Sequence, residues 1–364
     1  IDYPYPVAIS VDGTNGMEYP MICFNGGRPD EDGNYTDRKK YGLIGLVIHE
    51  VGHNFFPMII NNDERQWTWM DEGLNSFVQY RTQVERYENF PHRRGPAKNI
   101  VPYMKGDKSY IRPIMTNSEN IVQFGNNAYA KPATALNILR VTVMGPELFD
   151  YAFKEYAHRW AFKNPEPADF FRTMEDASAV DLDWFWRGWF YTTDHVDIEV
   201  DNVKWYKMQS DEKGFEKRVN SSSRTLSGAG SDEKNTDFSD GPTYFHVKDA
   251  QGGGEFRSAI DNTKIKKLHD GLNFYEVTLN NVGGLVMPVI IEWTYADGSK
   301  EIQKIPAEIW RKNEKQVKKV FAKEKEVVNI TIDPNLETAD TETGNNYFPV
   351  REDESRFDKF KESK

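Results

Sequence analysis

Two histidines four residues apart bracket a glutamate in His49-Glu50-Val51-Gly52-His53, and after eighteen intervening residues Glu72 follows in Trp69-Met70-Asp71-Glu72-Gly73. On an α-helix, residues four apart lie one above the other on the same face, so the two imidazoles can share one metal ion. Zinc suits such a set. It takes His nitrogen and carboxylate oxygen at roughly 2 Å, and a catalytic site uses three protein ligands and leaves the fourth position for water. His49, His53 and Glu72 supply three. Glu50 sits beside a ligand but on a neighbouring line of the helix, aimed at that water, where a carboxylate can act as general base. The plain alternative is a helix with two unrelated histidines. A five-residue pattern of this kind arises by chance in roughly one chain in a hundred of this length, and the downstream Glu lowers that further.

The flanking sequence predicts helices for both halves of the motif. Tyr41 to Ile60 carries Leu43, Leu46, Val47, Phe55 and Phe56, with Thr36 or Asp37 as N-cap and Pro57 bending or ending the run. Trp67, Trp69, Met70, Leu74, Phe77 and Val78 set up a second helix starting near Asp71, whose first turn presents Glu72.

With these residues in place, the chain resembles the M1 family of zinc aminopeptidases, the group that includes aminopeptidase N and leukotriene A4 hydrolase. That family carries the same histidine pair, eighteen-residue spacing and glutamate. Upstream, Asn15-Gly16-Met17-Glu18-Tyr19 is similar to the family's G-x-M-E-N exopeptidase motif, with Asn15 and Tyr19 replacing the usual Gly and Asn. The resemblance implies that Glu18 binds the free α-amine of a substrate and that the strand through Gly16 and Met17 pairs with its backbone. A partly buried carboxylate can select a charged ammonium over an internal peptide. Tyr129, in Asn127-Ala128-Tyr129-Ala130-Lys131, resembles the family's Tyr-x-Lys segment, in which the phenol stabilises the oxyanion. Pro132 opens a helix there, whereas the competing Tyr103-x-Lys105 is followed by Gly106-Asp107 and no helix. The resemblance covers residues 1 to about 200. It further implies that a β-rich N-terminal domain of the family is missing from this chain.

A net charge of -11 argues against nucleic acid as the partner, since a phosphate-binding surface needs a strong basic patch. No stretch approaches the roughly 20 apolar residues that span a bilayer, so membrane insertion is not expected. Cys23 is the only cysteine, so no intramolecular disulfide forms and redox usage does not assign the compartment. A periplasmic or secreted setting is favoured over the cytoplasm. The oligomeric state is not encoded in any feature of the chain.

The organisation reads as multidomain α+β, a thermolysin-like, mostly helical zinc catalytic domain with an N-terminal β edge, followed by an antiparallel β-sandwich. The catalytic domain is placed at 1–194, the sandwich at 195–350 with a polar excursion at about 209–241, and a charged tail at 351–364. Residues 3–11 and 17–24 read as strands. The polar, proline-containing connection from Asn89 to Asn127 is long enough to line a substrate cleft. The aromatic run Asp183 to Tyr191 reads as a packing cluster. After residue 270, Phe274–Leu279, Val286–Thr294, Ile302–Ile305 and Val327–Ile332 read as short strands, with a hairpin at Ala296-Asp297-Gly298-Ser299. The lysines between Lys312 and Glu326 alternate with glutamates and suit a protected sheet edge.

The residues therefore point to a metallopeptidase that removes single amino acids from peptide N-termini using one zinc per chain. Two other readings stay open at this level. One is a zinc hydrolase of a non-peptide electrophile such as an epoxide, which needs a long apolar pocket. The other is an inactive zinc-bearing peptide-binding module.

Overall fold

The computed structural model describes residues 1–13, 16–209, 234–246 and 271–350. Asn15, most of the polar 209–241 stretch and the charged end from 351 lie outside the described residues. The chain is mixed α/β and divides into two compact units. The first is Ile1–Asp197 joined by Gly283–Pro288 and Asn335–Thr341, and the second takes the strands from Ile198 onward.

In the first unit, β1 (Ile9–Asp12), β2 (Met17–Tyr19) and β3 (Ile22–Asn25) form a three-stranded sheet in the order β1-β3-β2. Two differences from the sequence expectation have local causes. Pro4 and Pro6 lack the N–H that a ladder uses, so the first strand begins only at Ile9. Met21 adopts a left-handed φ of 65°, which folds 17–24 into an antiparallel β2–β3 hairpin and leaves β2 at the sheet edge.

Helix α1 (Asp37–Gly52) is capped by Thr36, whose hydroxyl accepts from the Lys39 N–H at 3.3 Å. It ends well before Ile60. Pro57 disfavours helical backbone at Phe56, and the Phe56 carbonyl faces the His53 ring instead of continuing the helix ladder. Helix α2 (Thr68–Arg86) starts three residues before Asp71 and buries Trp69, Met70, Leu74 and Phe77.

The connection from residue 89 to 127 is less irregular than its composition suggests, because it holds α3 (Ala97–Met104), which buries Ile100, Tyr103 and Met104. A π-helical turn at Gly125–Ala130 then runs directly into α4 (Lys131–Ile138). Helices α5 (Pro146–Trp160), α6 (Pro167–Ser178) and α7 (Asp183–Trp186) complete the unit. The aromatic run is core. Trp69 meets Phe170, Phe171 and Phe190 at 5.8, 5.8 and 4.8 Å between ring centres, so this cluster seats the first turn of α2.

In the second unit, β4 (Ile198–Gln209), β5 (Thr243–His246), β6 (Asn273–Asn281) and β9 (Gln316–Lys323) form one sheet in the order β5-β4-β6-β9. A second has the order β11-β10-β7-β8, from β7 (Val289–Tyr295), β8 (Lys300–Ile305), β10 (Val327–Ile332) and β11 (Tyr347–Phe348). Tyr275 and Phe321 of the first sheet meet Trp293 of the second at 6.3 and 4.9 Å, so the sheets share an aromatic core. All strand pairs are antiparallel except β4 with β5. Exposed Lys318 and Lys319 lie on edge strand β9. Among the described residues, no helix is long and apolar enough to cross a membrane.

Two consequences of this packing can be measured. Helices α2 and α4 approach so closely that a Cβ at Gly73 would lie 2.6 Å from Pro132 Cγ and 3.0 Å from the Ala128 carbonyl oxygen. Gly73→Ala should therefore cost about 1–3 kcal/mol, read as a lower denaturant midpoint at unchanged slope. Gly42→Ala, where nothing within 4 Å meets the added methyl, should instead gain about 0.5–1 kcal/mol. Equal effects at the two positions would sink this account of the α2–α4 contact.

Lys131, in the first turn of α4, is buried with Nζ 3.3 Å from the Thr192 carbonyl oxygen. Burial pushes its ammonium down to about 7, and Lys108 nearby pushes the same way. Between that value and about 10.5 the unfolded chain holds the proton more tightly, so stability is lost as pH falls through this window and levels off below it. Lys131→Met should flatten that slope, leaving a protein more stable than the parent at pH 7 and converging with it near pH 10. Parallel stability curves for the two proteins would show that Lys131 stays charged in the fold.

Candidate metal centre and active site

Helix α1 delivers His49 and Glu50, the residue that ends it delivers His53, and the first turn of α2 delivers Glu72. Their donor atoms converge. His49 Nε2 lies 3.1 Å from Glu72 Oε2 and 3.2 Å from His53 Nε2, and His53 Nε2 lies 3.5 Å from Glu72 Oε2. A tetrahedral ion with bonds of ~2.0–2.1 Å holds neighbouring donors about 3.3 Å apart, so the triangle has the size that zinc requires.

The groups behind the donors fix which nitrogen faces inward. The Gln79 amide nitrogen donates to the Gly45 carbonyl at 2.8 Å, which turns Gln79 Oε1 toward His49 Nδ1 at 3.1 Å. An acceptor there requires the proton on Nδ1 and leaves the Nε2 lone pair free. His53 Nδ1 lies 2.8 Å from the Phe56 carbonyl oxygen and 2.8 Å from Asp71 Oδ1, with the same result. Asn75 donates to the His49 carbonyl at 2.8 Å and ties α2 to the donor helix.

Glu50 is buried beside this triangle, and its Oε2 has no hydrogen-bond partner among the described residues. A buried, unpaired carboxylate oxygen next to three converging donors is where a reacting water belongs. Gly16 makes the burial possible. A Cβ at that position would come within 2.8 Å of Glu50 Oε1, and the residue holds a positive φ of 40°. Two residues on, half-buried Glu18 on β2 brings a carboxylate oxygen within 4.8 Å of donor atoms of Glu50 and His53. The Tyr129 hydroxyl donates to Glu72 Oε1 at 2.5 Å, and its ring stacks on His49 at 5.8 Å. Competitor Tyr103 sits instead in the core on α3.

The electrostatics separate the carboxylates. Burial lifts Glu50 to about 7, a rise that His53 opposes and Glu18 reinforces. Burial also acts on Glu72, yet its bonds to His49 and His53 hold it well below the usual carboxylate range. Burial pulls His49 down, keeping a neutral ligand, and burial together with Glu72 drives the Tyr129 phenol up, so it remains a donor. These residues line a cavity of about 800 Å³, whose walls also carry Asp37, Arg38, Gln83, Asn89, Phe90, Pro91, Arg93 and Arg94. The start of the 89–127 connection thus lines the cavity, as its length suggested.

Several contributors were not assigned from sequence. Gln79 lies seven residues after Glu72, two turns along the same face, so helical spacing could have found it. Asp71 and Asn75 sit within the motif region without a pattern of their own. Arg94 comes from an irregular segment. Its guanidinium lies 4.2 Å from the centre of the Tyr129 ring and donates to Ser76 Oγ at 3.3 Å.

Two histidines of one helix and a glutamate of the next, around a cavity that buries a further glutamate, define the metallopeptidase class of site. Comparison with known proteins agrees. Residues 22–189 match the family model described as Peptidase family M1 domain. Glu18 lies just outside the matched segment. Glutamyl aminopeptidase of Sus scrofa is 24% identical over 210 residues, covering 54% of this chain and 22% of the relative. Aminopeptidase N of Streptomyces lividans is 24% identical over 214 residues, covering 52% of this chain and 24% of the relative. The chain therefore spans about a quarter or less of the length of these curated relatives. The crystal structure of Legionella pneumophila aminopeptidase A in complex with aspartic acid superposes with a TM-score of 0.52 at 11% identity, covering 91% of this chain and 31% of that one, a likeness of fold.

Removing the carboxylate behind His53 tests the orientation of the ligand ring. Asp71→Ala should weaken zinc affinity by ~10–100-fold in a chelator competition titration, while His53→Ala should lose stoichiometric binding. Unchanged affinity in Asp71→Ala would leave the Phe56 carbonyl as sole orienter of the ring.

Proposed function

We propose that the chain carries the catalytic centre of a zinc aminopeptidase that hydrolyses the N-terminal peptide bond of peptides. One observation supports the reading beyond a general zinc hydrolase: half-buried Glu18 shares a 4.8 Å cluster with Glu50 and His53, so a carboxylate that could take a substrate amine stands beside the candidate base. His49, His53 and Glu72 would hold zinc, which when bound acts as a Lewis acid toward the scissile carbonyl and acidifies water beside it. Glu50 accepts the proton of the attacking water on its unpaired Oε2 and returns it to the leaving amine nitrogen. The Tyr129 hydroxyl, aimed into the site, donates to the oxygen that gains charge as the carbonyl is attacked. Glu18 takes the substrate ammonium in a charge-assisted bond, and β2, the edge strand of its sheet among the described residues, would pair with an extended peptide backbone at Met17 and the preceding Gly16.

A zinc hydrolase of an apolar, non-peptide electrophile draws no support from the cavity, whose walls carry Arg38, Gln79, Gln83, Asn89, Arg93 and Arg94. An inactive binding module is disfavoured by the presence of both Glu50 and Tyr129 around the donor triangle.

The test compares free and N-acetylated forms of one peptide with the full-length protein and with Glu18→Ala. A charge-assisted contact of about 1.5–3 kcal/mol predicts that Glu18→Ala loses at least ~10-fold in kcat/KM on the free amine. The acetylated peptide should be a poor substrate of the parent. Glu50→Gln should keep its zinc and lose at least ~10²-fold in turnover. Efficient cleavage of the acetylated peptide at internal bonds would overturn the exopeptidase reading and leave a zinc endopeptidase.

A further inference from the structure

Within the catalytic cavity, Arg94 is a charged group with no role in the chemistry described above. Its half-buried side chain stacks over Tyr129 at 4.2 Å and bonds to Ser76 Oγ at 3.3 Å, one turn beyond Glu72 on α2. A guanidinium presents five N–H donors in one plane, and this contact uses one of them. Among the described residues, no carboxylate forms an ion pair with it. Glu72, the nearest acid to act on it, is already committed to His49, His53 and Tyr129. Arg93 adds a second positive charge beside it, and the two arginines also line a neighbouring cavity of about 490 Å³ with Asn99, Gln123 and Asn126.

The two charges on the cavity wall have different neighbours: Glu18 groups with Glu50 and His53, whereas Arg94 packs on the Tyr129 ring and bonds to Ser76. If Glu18 holds the ammonium and Tyr129 the scissile oxygen, Arg94 stands where the peptide continues past the bond to be cut. One residue of extended chain spans at most about 3.6 Å, so a carboxylate one or two residues beyond the scissile carbonyl falls within reach of a guanidinium packed on the tyrosine ring.

We infer that Arg94 binds the C-terminal carboxylate of the substrate, which makes di- and tripeptides with a free C-terminus the preferred substrate class of this site. The inference rests on the aminopeptidase reading. Glu18 and Arg94 together recognise the two ends of a zwitterion, with the reacting groups between them. A planar fork matches a carboxylate through two parallel bonds, and the Ser76 contact and the Tyr129 face hold that fork in one orientation. Longer peptides, or peptides whose C-terminus is blocked, leave the cation without its partner.

The experiment measures kcat/KM of the full-length protein on pairs X-Ala and X-Ala-amide, and X-Ala-Ala and X-Ala-Ala-amide, where X is the residue best released from an aminoacyl coumarin amide. The parent should prefer at least one free acid over its amide by roughly tenfold or more. Arg94→Gln should bring that ratio close to one, and Arg94→Lys should keep part of it by charge without the fork. Because Arg94 also packs on Tyr129, the acid-to-amide ratio within each protein is the readout, and the parent alone already decides the matter if a variant fails to fold. An equal rate on acid and amide by the parent, or a ratio unchanged in Arg94→Gln, overturns the proposal. So does a parent that ignores the terminus but prefers X-Asp-amide over X-Asn-amide, which would assign Arg94 to an acidic side chain. No turnover of any aminoacyl coumarin amide would instead remove the aminopeptidase reading itself.

Discussion

Everything in the site hangs on the seam between α1 and α2. Gly52 lets the helices meet so closely that a Cβ there would lie 2.2 Å from Asn75 Oδ1, and in that gap Asn75 donates to the His49 carbonyl at 2.8 Å. This contact sets the register between the helices. A one-residue slip along α2 would rotate Glu72 about 100° away from the imidazoles, because the helix turns once every 3.6 residues. The aromatic bed of Phe170, Phe171 and Phe190 beneath Trp69, and the close approach of Gly73 to Pro132, hold the same turn from its other sides. The sub-ångström placement that metal chemistry requires is thus supplied by packing, and the donors themselves need only be long enough to meet.

Burial does different work on neighbouring acids. Glu72 lies among the imidazoles and stays ionised, as a ligand must. Glu50 has only the charge of His53 to oppose its burial, with Glu18 and Glu72 acting the other way and no hydrogen bond to its Oε2, so desolvation dominates and its proton affinity rises to about 7. A carboxylate with that affinity near neutral pH can both take a proton and give it back. The difference arises from chain geometry: Glu72 projects from the second helix onto the metal triangle, while Glu50 lies one residue round α1, under the backbone of Gly16.

The parts of this centre that were legible in the sequence are those set by helical periodicity. Spacing of four placed His49 and His53, and the aromatic composition of 183–191 marked the bed beneath α2. Tyr129 and Glu18 were legible only through resemblance to known motifs, since neither has a periodic partner. Boundaries were less legible. Whether α1 continues past His53 depends on where the Phe56 carbonyl finds a donor, and the fold of 17–24 depends on one left-handed residue, Met21. Neither choice is written in a local hydrophobic pattern. Arg94 was invisible for the same reason, because its meaning comes from a tyrosine 35 residues away and a serine on another element.

Gly16 connects these levels. Its missing side chain lets the backbone leading into β2 pass close over Glu50 Oε1, and one consequence is chemical: that side of the carboxylate is desolvated, which raises its proton affinity and leaves Oε2 unpaired. The second is geometric. The same close approach carries Glu18, two residues along an edge strand, to within 4.8 Å of the reacting groups, so the acid that would hold the substrate ammonium is placed by the strand that desolvates the base. Any larger residue at position 16 would have to move the strand or Glu50, and either movement would change the surroundings of Glu50 and the position of Glu18 together. The proton affinity of Glu50 and the placement of Glu18 are therefore coupled through one backbone contact, and a change in one cannot be made there without a change in the other.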